Sequence, residues 1–170
     1  MQDIDLLTYA RETSAHECGH MVVLFKEGRL VDLRFLPHQT GANGAKGVFE
    51  ADTGTELGEK DCVALAAGMA GELVFLGRYD SERVFHDRQQ VQRLVGKALE
   101  DFAPEARRVI EGNLRFFSLL NEEVRNRIYD LLSGLRVGDL EKLPQIIPII
   151  TSAEVEQVYQ RAESEGSATR

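Results

Sequence analysis

A mainly α fold with a small β-sheet, an α+β class, is what this sequence predicts, and three observations carry it. Apolar residues recur at intervals of three and four through several long segments. Only two short runs, near residues 30–37 and 47–52, read as strands. At 170 residues, 43% apolar and 28% charged, the chain has the size and composition of one domain with a sizeable core. We expect that domain to cover residues 1–164, with a polar tail over 165–170, and find no internal repeat.

Residues 4–26 set Leu6, Leu7, Ala10, Met21, Val22, Leu24 and Phe25 at helical spacing, and Gly28 is placed to end the helix. The run LVDLRFLP then alternates Val31, Leu33 and Phe35 with Asp32 and Arg34, a half-buried strand that Pro37 should close. After a glycine-rich loop over 41–47, GVFEAD returns as a second strand at the sheet edge. A second long helix is expected over 57–76. Its Ala67, Gly68, Ala70 and Gly71 permit close helix packing, which has to offset the poor helix propensity of the two glycines. Beyond the loop GRYDSERVF, a third helix is expected from Asp87, with Val91, Leu94, Val95, Ala98 and Leu99 along one side. Two or three more helices should cover 104–134 and 152–164, the last opened by Thr151 and Glu154 at capping-box spacing.

Charge and composition narrow the function. A net charge of −8 and a pI near 5.1 argue against nucleic acid as the main partner, because phosphate binding needs a face where Lys and Arg outnumber carboxylates. CVALAAGMAGELVFLG is broken by Glu72 and three glycines, and LPQIIPII is short and holds prolines, so no membrane span is expected. The N-terminus is acidic, unlike a signal peptide. Cys18 and Cys62 form no disulfide framework, which makes a reducing cytoplasm the default location.

The stretch SAHECGHMVV carries the chemistry. His16 and His20 lie four residues apart on the first helix, so their imidazoles project from one face, ~40° apart around the axis, and can meet one metal ion. Glu17 stands beside that face, where it can reach a water on the ion and act as general base. A chance HExxH in a chain this poor in histidine arises at roughly a percent or less. Gly19 lets another helix approach the back of the site. A catalytic zinc takes a third protein ligand and keeps one position open. The remaining candidates are His38, Glu72, Asp80, Glu82, His86 and Asp87.

Taken in order, AHECGHMVV, ALAAGMAGELVFLG and HDRQQVQRL resemble the protease domain of FtsH-type AAA+ membrane proteases. Those domains carry HEAGH, then a GGRAAEE-like helix, then a loop to an Asp ligand that opens the next helix. The resemblance spans residues 6–99 and weakly beyond, and implies a helical zincin fold. It implies Zn2+ held by His16, His20 and Asp87, with Glu17 as base. It places Glu72 on the helix behind the site, suited to orient a ligating imidazole. It also sets Gly47, Val48 and Phe49 along a substrate groove used by strand addition. Cys18, His86 and the SERVF lead-in depart from the family pattern and bear on the third ligand. Asp87 also has a reading of its own, since the apolar side of the helix it opens would pack on the core and turn its carboxylate inward. We read His86 as a loop residue near the metal and Cys18 as a small buried residue. His38 and Tyr79 are each either a hydrogen-bond donor to a developing oxyanion or ordinary surface.

The leading expectation is a zinc metallopeptidase that cleaves peptides or unfolded segments. No GxxxxGK[ST] occurs, so ATP-driven unfolding is not expected of this chain alone, and a homo-oligomer or a separate ATPase partner stays open. One alternative is a deformylase-like amidohydrolase, which takes its third ligand from a cysteine upstream of the histidine pair, where this chain has none. The other is an idle protease-like interaction module, for which an intact HExxH would have no use.

Overall fold

The computed structural model describes residues 5–41, 46–135 and 138–167, so the middle of the expected glycine-rich loop and the last three residues of the tail lie outside the described residues. Helix α1 (Leu6–Lys26) starts at Asp5, whose carboxylate accepts from the Leu7 amide and the Thr8 hydroxyl. It ends as expected, with Gly28 in the left-handed region at φ 80° just past the Glu27 cap. Every residue from 13 to 24 is buried. A helix covered on all sides is a core element, which is why His16, Glu17 and His20 sit among apolar neighbours rather than on a wet face. Helix α2 (Cys62–Leu76) is the other buried helix. It begins later than expected. Asp61 accepts from the Gly58 amide at 2.7 Å and from Arg29 at 2.7 Å, so the preceding turn is a short 3-10 segment, Glu59–Asp61, and Leu57 stays outside.

Strands β1 (Asp32–Thr40) and β2 (Lys46–Asp52) pair antiparallel, and β3 (Ile147–Ile150) pairs antiparallel with β1 on its other side, giving the order β2-β1-β3. β2 is thus the edge strand that the sequence suggests. Two readings need correction. β1 continues through Pro37, because pairing with β3 ends at Phe35 and the register with β2 slips between Leu36 and Thr40, so the missing proline amide costs no regular ladder bond. β3 was not expected at all. Its Pro148 is tolerated because β3 is an edge strand whose register against β1 also shifts there.

Helix α3 (Phe85–Val95) starts two residues before Asp87 and stops at Gly96, φ 67°, so Ala98 and Leu99 are not on it. Leu99 is instead buried in a separate 3-10 turn, Leu99–Asp101. Helices α4 (Ala103–Glu111), α5 (Leu114–Gly134) and α6 (Ser152–Ser167) follow, the last opened by Thr151 and Glu154 bonding reciprocally. α6 runs past residue 164 into the expected tail, and Arg115 of α5 pairs with Glu165 there. Phe25, Phe116 and Tyr159 meet with ring centroids 5.0–5.2 Å apart and join α1, α5 and α6. Among the described residues no helix is long and apolar enough to cross a membrane.

The crossing of α1 and α2 is made by backbone against backbone. A Cβ on Gly19 would stand 2.0 Å from the Ala67 carbonyl oxygen, and one on Gly71 would stand 2.3 Å from the Ala15 carbonyl oxygen. Neither neighbour is a flexible side chain, so a methyl group forces the helices apart. Gly71→Ala is therefore expected to lower stability by about 1–3 kcal/mol, as overpacking does, despite its better helix propensity. Denaturant unfolding checks this, and a midpoint at or above that of the wild type contradicts the close crossing.

Candidate metal centre

His16 and His20 are held by their Nδ1 atoms. His20 Nδ1 lies 2.7 Å from the Ala64 carbonyl of α2, which can only accept, so that nitrogen carries the proton. His16 Nδ1 lies 2.8 Å from Glu72 Oε1 and donates likewise to the carboxylate. In the neutral rings both Nε2 lone pairs are then free, and they face each other at 3.1 Å. Asp87, in the first turn of α3, brings Oδ2 to 3.4 Å from each. With both rings neutral, three electron-pair donors thus converge with no hydrogen among them. Among the described residues, Asp87 Oδ2 is buried without a hydrogen-bond partner.

These edges of 3.1 and 3.4 Å are close to the ~3.3 Å between ligand atoms of a tetrahedral ion with bonds of ~2.0–2.1 Å. Three such atoms could hold a metal ion, and as three donors they would leave one position of a four-coordinate ion to water or substrate. Gly68 of α2 makes the room. A Cβ there would lie 2.5 Å from His20 Nε2 and 2.6 Å from His16 Nε2, inside the donor cluster.

The electrostatics agree with the geometry. Burial is the largest influence on His16 and disfavours its cation, yet Asp87 and Glu72 outweigh it and raise its pKa to about 10. His20 is raised by the same contest, with Asp87 prevailing over burial. For Asp87 burial again opposes the charge, and the two histidines overcome it, holding the carboxyl far below its usual range. The centre of the triangle therefore favours positive charge, which a proton or a metal cation can supply. Glu17 is raised, chiefly by burial, while both imidazoles and the Ala51 amide pull the other way.

Glu17 links this cluster to the sheet, because its Oε2 accepts from the Ala51 amide of β2 at 3.1 Å. That amide faces away from β1. By the alternation of antiparallel pairs, the N–H and C=O of Phe49 also face the free edge, whereas those of Val48 face β1. Phe49 buries its ring against Phe35, and Gly47, at φ 86°, packs on the same Phe35 ring. Glu72 does not reach the Nε2 cluster. Its Oε1 serves His16, and its Oε2 accepts from the Asp80 amide at 2.8 Å.

Other sequence candidates lie elsewhere. His86 is exposed on the first turn of α3 rather than in a loop, and His38 is bonded to the Leu143 carbonyl at 2.9 Å. Asp80 caps its own turn through the Glu82 amide. Tyr79 is 36% exposed. Cys18 and Cys62 are free and buried. Sequence reasoning missed Ala51, Ala64 and Arg83. A backbone carbonyl such as that of Ala64 leaves no side-chain signal, whereas strand parity counted from Phe49 would have reached Ala51.

Set against family models, curated proteins and solved structures, the chain matches none.

The distances separate two kinds of carboxylate. Asp87→Ala removes a donor from the triangle and is expected to abolish stable zinc binding. Glu72→Gln leaves the triangle and is expected to weaken zinc by the ~10 to 100-fold typical of a residue that orients a ligand. Zinc titration against a competing chelator checks both, and equal losses in the two variants contradict the assignment.

Proposed function

We propose that this chain is a zinc-dependent endopeptidase of the FtsH-protease kind, acting on peptides or unfolded segments without ATP. The observation that carries the reading is the convergence of His16 Nε2 and His20 Nε2 of α1 with Asp87 Oδ2 of α3 at 3.1–3.4 Å, beside Glu17, which follows His16 and is bonded to a sheet edge. Two imidazoles and one carboxylate, with a corner open, are a usual donor set for catalytic zinc. When bound, zinc supplies the Lewis acidity that polarises a scissile carbonyl and acidifies a water.

The chain's own groups do the rest. Glu17 takes the proton from the attacking water and returns it to the leaving amine. Its burial raises its pKa toward the range where a carboxylate does both. The Ala51 amide holds Oε2 of Glu17, so the proton transfer falls to the other oxygen. An extended peptide adds to the free edge of β2 through the main-chain groups of Phe49, with Gly47 next along the strand, so its backbone runs past Glu17. Because recognition is by main chain, unfolded segments suit the site better than folded surfaces.

The purified protein is expected to carry about one zinc per chain, and His16→Ala to carry none. Glu17→Gln should keep the zinc and lose hydrolysis of an unfolded protein by at least the ~10² to 10⁴-fold that a general base contributes. Metal analysis beside a cleavage assay tests both. A zinc-free wild type would sink the reading, and unaltered turnover by Glu17→Gln would remove Glu17 from the mechanism.

A further inference from the structure

Three carboxylates are buried at the centre: Glu17, Glu72 and Asp87, at 9%, 1% and 8% exposure. With both imidazoles neutral, a divalent cation among them leaves one negative charge uncompensated. A buried unpaired charge is among the costliest features a fold can hold. Among the described residues, the one Lys or Arg within ion-pair distance of these three is Arg83. It lies in the loop between α2 and α3, with Nε 3.6 Å from Glu72 Oε1. Its Nη1 donates to Thr13 Oγ1 at 2.9 Å and its Nη2 to Glu12 Oε2 at 3.2 Å, both on α1 just before His16. Glu12 does not claim the charge of Arg83 alone, since Arg78 also pairs with it at 2.6 Å.

The placement is specific. Two of the three buried side-chain polar atoms that lack a hydrogen-bond partner among the described residues are Asp87 Oδ2 and Arg83 Nε, at the two ends of the chain Asp87, His16, Glu72, Arg83. Arg83 also precedes α3 by two residues, so whatever anchors it sets where Asp87 begins its approach. The segment SERVF supplies it.

We propose that Arg83 is the positioning residue of the centre: its guanidinium supplies the positive charge that makes the metal-loaded cluster neutral, and it acts on His16 through Glu72. This rests on the metal reading above. The same fork ties the loop between α2 and α3 to α1, so charge balance and ligand placement come from one side chain.

The test is zinc affinity, measured with zinc alone against a chromophoric chelator, in the wild type, Arg83→Met, Arg83→Lys, Glu72→Gln and the Arg83→Met/Glu72→Gln double variant, with circular dichroism to verify folding. Arg83→Met is expected to weaken zinc about 10 to 100-fold, as loss of a ligand-orienting partner does. Arg83→Lys, which keeps the charge, should stay closer to wild type than to Arg83→Met. In the Glu72→Gln background the effect of Arg83→Met should largely vanish, because the residue it acts through is already uncharged. Wild-type affinity in Arg83→Met, a lysine variant as weak as the methionine one, or an undiminished effect in the Glu72→Gln background would each overturn the role of Arg83 alone. A wild type that binds no zinc would overturn the metal reading and this role with it. If Arg83→Met does not fold, Arg83→Gln takes its place in every comparison.

Discussion

The contact between α1 and α2 is the constraint on which the rest of the molecule depends. Gly19 and Gly71 bring two helix backbones together with no side chain between them, and the donor atoms come into range because of that closeness. His16 finds Glu72 and His20 finds the Ala64 carbonyl across the same seam. A looser crossing would leave both Nδ1 protons unsatisfied in a buried interface and free the rings to turn, at the ~1–3 kcal/mol that an unpaired buried polar group costs. The polar groups therefore reinforce the packing, and the packing aims the polar groups.

Much of this was readable in the chain because HExxH forces a simple geometry. Four residues on a helix put His16 and His20 on one side, and the small residues of α2 announced a close neighbour. β1 and β2 were legible from alternation, and the Thr151 and Glu154 cap from its spacing. What was hidden is instructive. β3 is four residues long and contains Pro148, so local sequence argues against it, and only pairing with β1 makes it a strand. The late start of α2 was set by a distant partner, through the pairing of Asp61 with Arg29 across the fold. At the site, the spacing of residues says nothing about Ala64 or Ala51, which act through their peptide groups. Arg83 looked like one more charge in a polar loop.

Most of the ion pairs lie on the surface and contribute little: Arg107 with Glu111 and Lys142 with Asp139 are exposed pairs one turn apart. Those of Arg29 and Arg83 differ, because each places a partly covered guanidinium against a nearly buried carboxylate. Arg29 also reaches Thr53 and Thr55, binding the end of β2 to the start of α2. The two arginines stand at opposite ends of α2, so the helix that cradles the donor cluster is fastened at both.

One turn of α2 performs two tasks. The carbonyl that orients His20 belongs to Ala64, and the residue that makes room for the donor atoms is Gly68, four positions later and directly above it on the helix. In a regular helix the same carbonyl also accepts from the amide of residue 68. Sliding α2 by a single residue would rotate it by about 100° and remove the acceptor and the clearance together. A change in the length of the connection from β2 can thus be absorbed upstream of Asp61. From that pin onward the phase of the helix is locked to the HExxH helix it faces.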